Sequence, residues 1–308
     1  MHIAILGTES LGVRGLSCVV QAGERKILID PGVALGYRRH GLLPHPAQVA
    51  VGEQVRRQIV AALSDVTDVV FSHFHGDHVP LADANPYQLA AQQVAPLLQT
   101  TRIWSKGPAG LSHNMGARRE ALIKVLGRDL PGAEGRCSGP LAFSPAVPHG
   151  EPDSGLGTVM MTRITDWDGV FVHASDIQLL DEETVSLLLA WRPDIVLVAG
   201  PPLYLGRLSL AQRQRAWENG LHLAREVDCL ILDHHLLRCE RGLRWLERLS
   251  RCTGSRVMCA ADFIGRPRLL LEAQRRRLYK EMPVPQGWHQ AYARGTVDTS
   301  AYQTYVSQ

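Results

Sequence analysis

The sequence predicts an α/β fold in which two sheets pack face to face within one domain and helices cover the outside. Three observations carry that expectation. Short β-type runs alternate with helical runs along the chain. The first half is richer in hairpins, and the second half alternates strand and helix. No charge run, Ser/Gly tract or low-complexity block separates the halves as a linker would.

Residues 2–6 read as a first strand, followed by a Gly-rich loop from Gly7 to Gly15. Residues 17–22 and 26–30 form a hairpin around Gly23-Glu24, and Pro31-Gly32 stops it. Residues 33–46 are a loop holding the basic cluster Arg38-Arg39-His40. Over 47–63, Val51, Val55, Ile59 and Leu63 share one helical face. Residues 68–72 are a buried-type strand that ends at His73, and 115–126 are helical. A strand over 141–147 leads to His149. Residues 158–164 and 170–174 pair around Asp166-Trp167-Asp168-Gly169. Asp181-Glu182-Glu183 open a helix with acids where the helix dipole favours them. Then come a strand over 194–199, a helix over 209–225, a strand over 229–232, a helix over 240–251, a strand over 255–259 and a last helix over 266–281. Residues 283–308 carry little periodicity and read as a C-terminal arm or tail.

Of the 308 residues 45% are apolar and 20% charged, a globular balance that excludes disordered, collagen-like and fibrous classes. No apolar run reaches the ~18–20 residues that a membrane span needs. The stretch Met1 to Gly7 has no basic n-region, so a cytoplasmic protein without a membrane partner is expected. The net charge of +3, from 33 basic and 30 acidic residues, does not argue for nucleic acid by itself. Only four of the basic residues are Lys; the Arg excess reflects genome composition or, in the functional reading, planar bidentate recognition of an anion. Six Cys are scattered without a C-x-x-C pair, against a disulfide framework or a structural zinc site.

The segment that carries chemistry is Phe71-Ser72-His73-Phe74-His75-Gly76-Asp77-His78-Val79-Pro80. Imidazoles at i and i+2 beyond a strand end can turn toward one ion in a bent loop, and the following carboxylate and third imidazole toward a second. Histidine with carboxylate suits zinc, iron or manganese, and the absence of thiolate argues against a purely structural zinc. One loop cannot close a binuclear site. Further donors stand at other strand ends, where α/β folds place functional groups: His149, Asp176, and the pair His234-His235, of which one is read as a ligand and the other as its support. His173 is read as a core or supporting residue. Asp30 and Asp233 are candidates to fix imidazole tautomers or, equally, turn and capping aspartates.

The run His73-x-His75-x-Asp77-His78, followed in order by His149, Asp176 and His234-His235, resembles the metallo-β-lactamase superfamily. Leu28-Ile29-Asp30-Pro31-Gly32, and the loop Gly7-Thr8-Glu9-Ser10 with Arg14, resemble it as well; the likeness spans roughly residues 1–262. The resemblance implies a four-layer αββα sandwich, with a hydrolase domain over residues 1–282. It implies that His73, His75 and His149 hold one metal, that Asp77, His78 and one of His234 or His235 hold a second, and that Asp176 bridges. Two divalent ions are then expected, zinc first, with manganese or iron as alternatives. A hydroxide bridging them would cleave an ester-type bond, with Asp77 as the catalytic carboxylate that orients it or accepts a proton. The sequence departs from β-lactam-hydrolysing members in carrying a carboxylate at the bridging position where those keep a cysteine. It also departs from flavo-diiron members, which place Glu where His75 stands.

The leading expectation is therefore a binuclear hydrolase of a phosphodiester or of a carboxylic ester or lactone, acting on a small anionic substrate. Arg14, Arg38 and Arg39 are the substrate-binding candidates. A nuclease of the same fold and an iron-dependent oxidase or dioxygenase are the alternatives; the modest charge and the lack of a separate RNA-binding segment count against nucleic acid. A homo-oligomer stays open.

Overall fold

The computed structural model describes residues 1–305, and its layers run helices, sheet, sheet, helices, the expected αββα sandwich. The first sheet begins with β1 (His2–Gly7), β2 (Ser17–Ala22) and β3 (Arg25–Ile29), paired antiparallel. It continues through α1 (Pro46–Leu63), β4 (Asp68–Phe71), α2 (Ala91–Gln99) and β5 (Arg102–Ser105) to α3 (His113–Leu126). Strands β3, β4 and β5 are parallel, which makes α1 and α2 crossover helices. The two-residue period sorts side chains between layers. Cys18, Val20, Ile27, Ile29 and Val70 join the core shared with the second sheet. Val19, Leu28, Val69 and Phe71 turn to the layer of α1–α3. Val51, Val55, Ile59 and Leu63 are all buried there, each contributing about 1.5–3 kcal/mol by leaving water. The first turn of α1 is fixed by His45, whose side chain accepts the Ala47 N–H at 3.1 Å while Gln48 reaches back to the His45 N–H at 3.0 Å.

The second half supplies β6 (Cys137–Ser138), β7 (Leu141–Phe143), β8 (Val147–Pro148), β9 (Thr158–Val159), β10 (Thr162–Asp166) and β11 (Gly169–His173). After these come α4 (Glu182–Leu189), β12 (Ile195–Val198), α5 (Leu210–Glu226), β13 (Cys229–Leu232), α6 (Glu240–Thr253) and β14 (Arg256–Met258). The second sheet has the order β14-β13-β12-β11-β10-β7-β6, parallel from β11 to β14. Parallel strands present their carboxyl ends together, so the loops after β11 and β13 open on one rim.

Three expectations change. The strand expected over 141–147 divides into β7 and β8, and that over 158–164 into β9 and β10. Tertiary bonds bend both: the Ser144 hydroxyl accepts the Met161 N–H at 2.9 Å, and the Met160 N–H donates to the Ser72 carbonyl at 2.9 Å. The last helix is shorter than expected. After the short α7 (Ala260–Phe263), only α8 (Arg275–Glu281) is helical within 266–281, because Pro267 lacks an N–H and the Leu269 N–H is drawn to the Ser10 carbonyl at 2.7 Å. Beyond α8, α9 (Trp288–Ala293) lies by α1, with the Tyr292 hydroxyl donating to Glu53 at 2.8 Å and the Thr299 hydroxyl at 2.7 Å. Residues 306–308, the end of the expected tail, fall outside the described residues. Among the described residues no helix is long and apolar enough to cross a membrane.

Candidate metal centre

The loop after β4 is pinned before any ligand is placed. Asp30, fully buried at the end of β3, accepts the Ser72 N–H at 2.8 Å, the Ser72 hydroxyl at 2.6 Å and His78 Nδ1 at 2.8 Å. Gly32 lets its turn lie against that loop: a Cβ there would stand 2.2 Å from the Val79 nitrogen. Asp30 thus fixes one imidazole, as one of its two readings expects. Asp233 takes the other: it accepts the backbone N–H groups of Ser10, His234 and Ala260 at 2.8–2.9 Å and orients no ring. His173 is a core residue, with Nε2 bonded to the Leu16 carbonyl at 2.8 Å.

The strand-end donors converge on Asp176. Its Oδ2 lies 3.2 Å from His149 Nε2, 3.2 Å from His235 Nε2, 3.5 Å from His73 Nε2, 3.6 Å from His234 Nε2 and 4.0 Å from His75 Nδ1. Its Oδ1 lies 3.1 Å from His78 Nε2. His73 Nε2 and His75 Nδ1 approach each other to 3.0 Å. Asp77 Oδ2 lies 3.5 Å from His234 Nε2. His73, His75, His149 and Asp176 form one group of donors within 4.8 Å of one another, and Asp77, His78 and His234 form a second; Asp176 also groups with His234 and His235.

These donors fit divalent ions. Bonds of ~2.1 Å to nitrogen and oxygen put neighbouring ligands ~3.4 Å apart, the spacing seen around Asp176. Asp176 Oδ1 and both ring nitrogens of His235 are buried with no hydrogen-bond partner among the described residues. Such groups are costly unless something else satisfies them. Burial pushes the His73 and His234 imidazoles down, to about 3 and about 4, which keeps them neutral with a lone pair to give. Burial opposes the Asp176 carboxylate, yet His78, His234 and His235 outweigh it and hold that carboxyl well below its usual range. Burial also opposes the His78 cation, and Asp176 and Asp30 on either side more than reverse this.

The centre floors a cleft of about 420 Å³ reached past His75 and Asp77, with Arg14, Arg118, Tyr204, Arg207 and Arg238 on its walls. Of the three arginines expected at substrate, only Arg14 lines it, held to Glu272 by Nε at 2.8 Å and by Nη2. Arg39 is drawn back to Glu272 at 3.2 Å and to the Arg238 carbonyl, and Arg38 is exposed outside the cleft. The residue that sequence reasoning missed is Arg238. It ends the short turn Leu236–Arg238, four residues beyond His234, a one-turn spacing that was the available cue. Its guanidinium is buried, with Nη2 2.6 Å from His234 Nε2 and 3.3 Å from Asp77 Oδ2, and Nη1 3.1 Å from the Tyr204 hydroxyl.

A family model described as the metallo-β-lactamase superfamily matches residues 12–84, the stretch from the β2–β3 hairpin through the His73–His78 run. A UPF0282 protein of Methanosarcina mazei is 52% identical over 302 residues, covering 98% of this chain and 99% of that one. A UPF0282 protein of Thermococcus gammatolerans is 35% identical over 294 residues, covering 91% and 95%. Among solved structures, an isothiocyanate hydrolase from Delia radicum gut bacteria aligns with a TM-score of 0.49 at 19% identity, covering 80% of this chain and 93% of that one. With relatives this similar along nearly their whole length, the chain belongs to the UPF0282 family, within the metallo-β-lactamase superfamily.

Proposed function

We propose that this protein is a binuclear metal-dependent hydrolase that cleaves an ester-type bond, phosphodiester or carboxylic ester or lactone, in a small anionic substrate. The observation that carries the reading is the convergence of six imidazoles on the Asp176 carboxylate, with Asp77 beside His78 and His234, at the floor of an arginine-walled cleft. His73, His75 and His149 would hold one divalent ion. Asp77, His78 and His234 or His235 would hold the other, and Asp176 would lie between them. Zinc is the first choice, and the same donors accept manganese or iron. Bound there, such ions supply Lewis-acid polarisation and an activated water.

The chain's own residues supply the rest. Asp77 faces the cleft through its partly exposed carboxylate and is placed to orient the attacking water or take its proton. Arg14 and Arg238 put fixed positive charge on the cleft wall for an anionic group of the substrate. A cleft of about 420 Å³ suits a small molecule rather than a polymer, so nucleic acid is not the favoured partner. Six free thiols accord with a reducing, cytoplasmic setting.

The test is elemental mass spectrometry of metal-replete protein, followed by an activity screen over phosphodiesters, lactones, thioesters and glutathione conjugates with zinc, manganese and iron each supplied. Close to two ions per chain and ester-type turnover are expected. Absence of bound metal would refute the centre. Oxygen consumption with iron, in place of hydrolysis, would replace the reaction.

A further inference from the structure

We propose that Arg238 is a tethered cation that fills the Asp77–His234 half of the centre until a second divalent ion displaces it, so that the two ions bind in order and with unequal affinity. The inference rests on the reading of the cluster as a metal centre. It assigns the tight position to His73, His75 and His149 and the weak one to Asp77, His78 and His234.

The two halves are built differently. In the first, His73 Nδ1 meets the hydroxyls of Ser72 and Ser175 at 3.0 and 3.4 Å, so Nε2 is left to face Asp176. Among the described residues no Arg or Lys is paired with Asp176, and the side-chain amide of Gln178 supports His149 Nδ1 at 3.1 Å. In the second half the guanidinium stands among the donors: Arg238 Nη2 is 2.6 Å from His234 Nε2 and 3.3 Å from Asp77 Oδ2. Gly15, at φ +136°, donates its N–H to His234 Nδ1 at 3.2 Å. Arg238 Nη2 also lies 3.3 Å from His234 Nδ1, so the guanidinium sits over the face of that ring beside Nε2, and its charge opposes any ion held by Nε2 and Asp77. Arginine cannot relieve the conflict by losing its proton. A fixed positive charge within about 4 Å of a divalent ion repels it strongly in a buried site.

A second seat for the side chain is present. Arg238 Nε lies 3.5 Å from Glu9 Oε2, and both atoms are buried with no hydrogen-bond partner among the described residues. A swing of the side chain toward Glu9 would satisfy both. Tyr204, whose hydroxyl lies 3.1 Å from Nη1, marks the outer wall of that path.

The test is a competition titration of chelator-stripped protein with zinc against a chromophoric chelator, for the wild type, Arg238→Met and Arg238→Lys, with a thermal melt of each. The wild type is expected to bind two ions in separate steps. Arg238→Met is expected to tighten the second step about tenfold or more and leave the first unchanged, and Arg238→Lys to keep the steps apart. Should Arg238→Met lose its cooperative melt, Arg238→Gln decides in its place. Two ions of equal affinity in the wild type, or an unchanged second step without the guanidinium, would overturn the inference and leave the metal reading standing. A wild type that binds no ion would overturn both.

Discussion

Replacing Asp30 by Asn preserves its shape and removes one thing, the ability to accept on both oxygens. In the wild type the Ser72 N–H donates to Oδ1 at 2.8 Å, while His78 Nδ1 and the Ser72 hydroxyl meet Oδ2 at 2.8 and 2.6 Å. Asparagine has one acceptor oxygen for two buried N–H groups on opposite sides. If the oxygen stays with Ser72, the amide donates to His78 Nδ1, so the ring loses its Nδ1 proton and carries its proton on Nε2, the nitrogen that faces Asp176 at 3.1 Å. If it turns to His78, the Ser72 N–H is left unmatched at the root of the metal loop. One mismatched buried donor costs about 1–3 kcal/mol of stability, and loss of a ligand's orienting carboxylate typically costs about 10- to 100-fold in metal affinity. Urea unfolding of chelator-stripped protein reads the first effect and competition titration reads the second. Asp30→Asn that binds zinc as the wild type does, with its unfolding midpoint unmoved, would refute the claim that Asp30 sets the His78 tautomer.

Other substitutions separate chemistry from architecture. Asp77→Asn is expected to abolish hydrolysis of whichever ester substrate the screen finds while the thermal melt stays cooperative; unchanged turnover would remove Asp77 from the mechanism. Gly32→Ala places a methyl 2.2 Å from the Val79 nitrogen and is expected to lower metal content sharply while far-ultraviolet circular dichroism persists. Far from the cleft, Ile59→Ala in α1, fully buried, is expected to cost about 2–5 kcal/mol in urea unfolding with metal content unchanged. Asp68 gives the pH test. Burial opposes its carboxylate, but bonds from Arg25, Trp104 and Thr67 outweigh burial and hold its pKa low. A depressed folded-state pKa adds stability that is present above the unfolded value of ~3.9 and lost as pH falls below it. The stability gap between wild type and Asp68→Asn should therefore narrow from pH 7 to pH 3 in urea melts, and a constant gap would contradict the assignment.

What was legible in the sequence was mostly local. His73, His75, Asp77 and His78 share one loop, so their spacing shows in six residues, and His149, Asp176 and His234 announce themselves by standing at strand ends. The face of α1 was legible because Val51 to Leu63 repeat at helical spacing. What escaped depends on partners distant in the chain. Arg238 is held by Tyr204, 34 residues away, and Asp77, 161 away. The break of the 141–147 strand follows from a hydroxyl that takes the N–H of Met161, and the loss of the first half of the last helix from a bond to Ser10. Helix α2 carries Pro96 inside a nine-residue span, which masks its period. Arg38 and Arg39 looked equivalent to Arg14 because all three lie in loops; buried Glu272 pairs with both Arg14 and Arg39, and the bond to the distant Arg238 carbonyl is what draws Arg39 out of the cleft wall.

Anomalous X-ray diffraction from crystals grown with excess zinc, recorded on both sides of the metal edge, tests the central claim most directly. Two peaks are expected, on either side of the Asp176 carboxylate, one within ~2.1 Å of nitrogens of His73, His75 and His149 and one beside Asp77 and His78. Difference maps without an anomalous peak in the cleft, with the imidazoles turned away from Asp176, would contradict it.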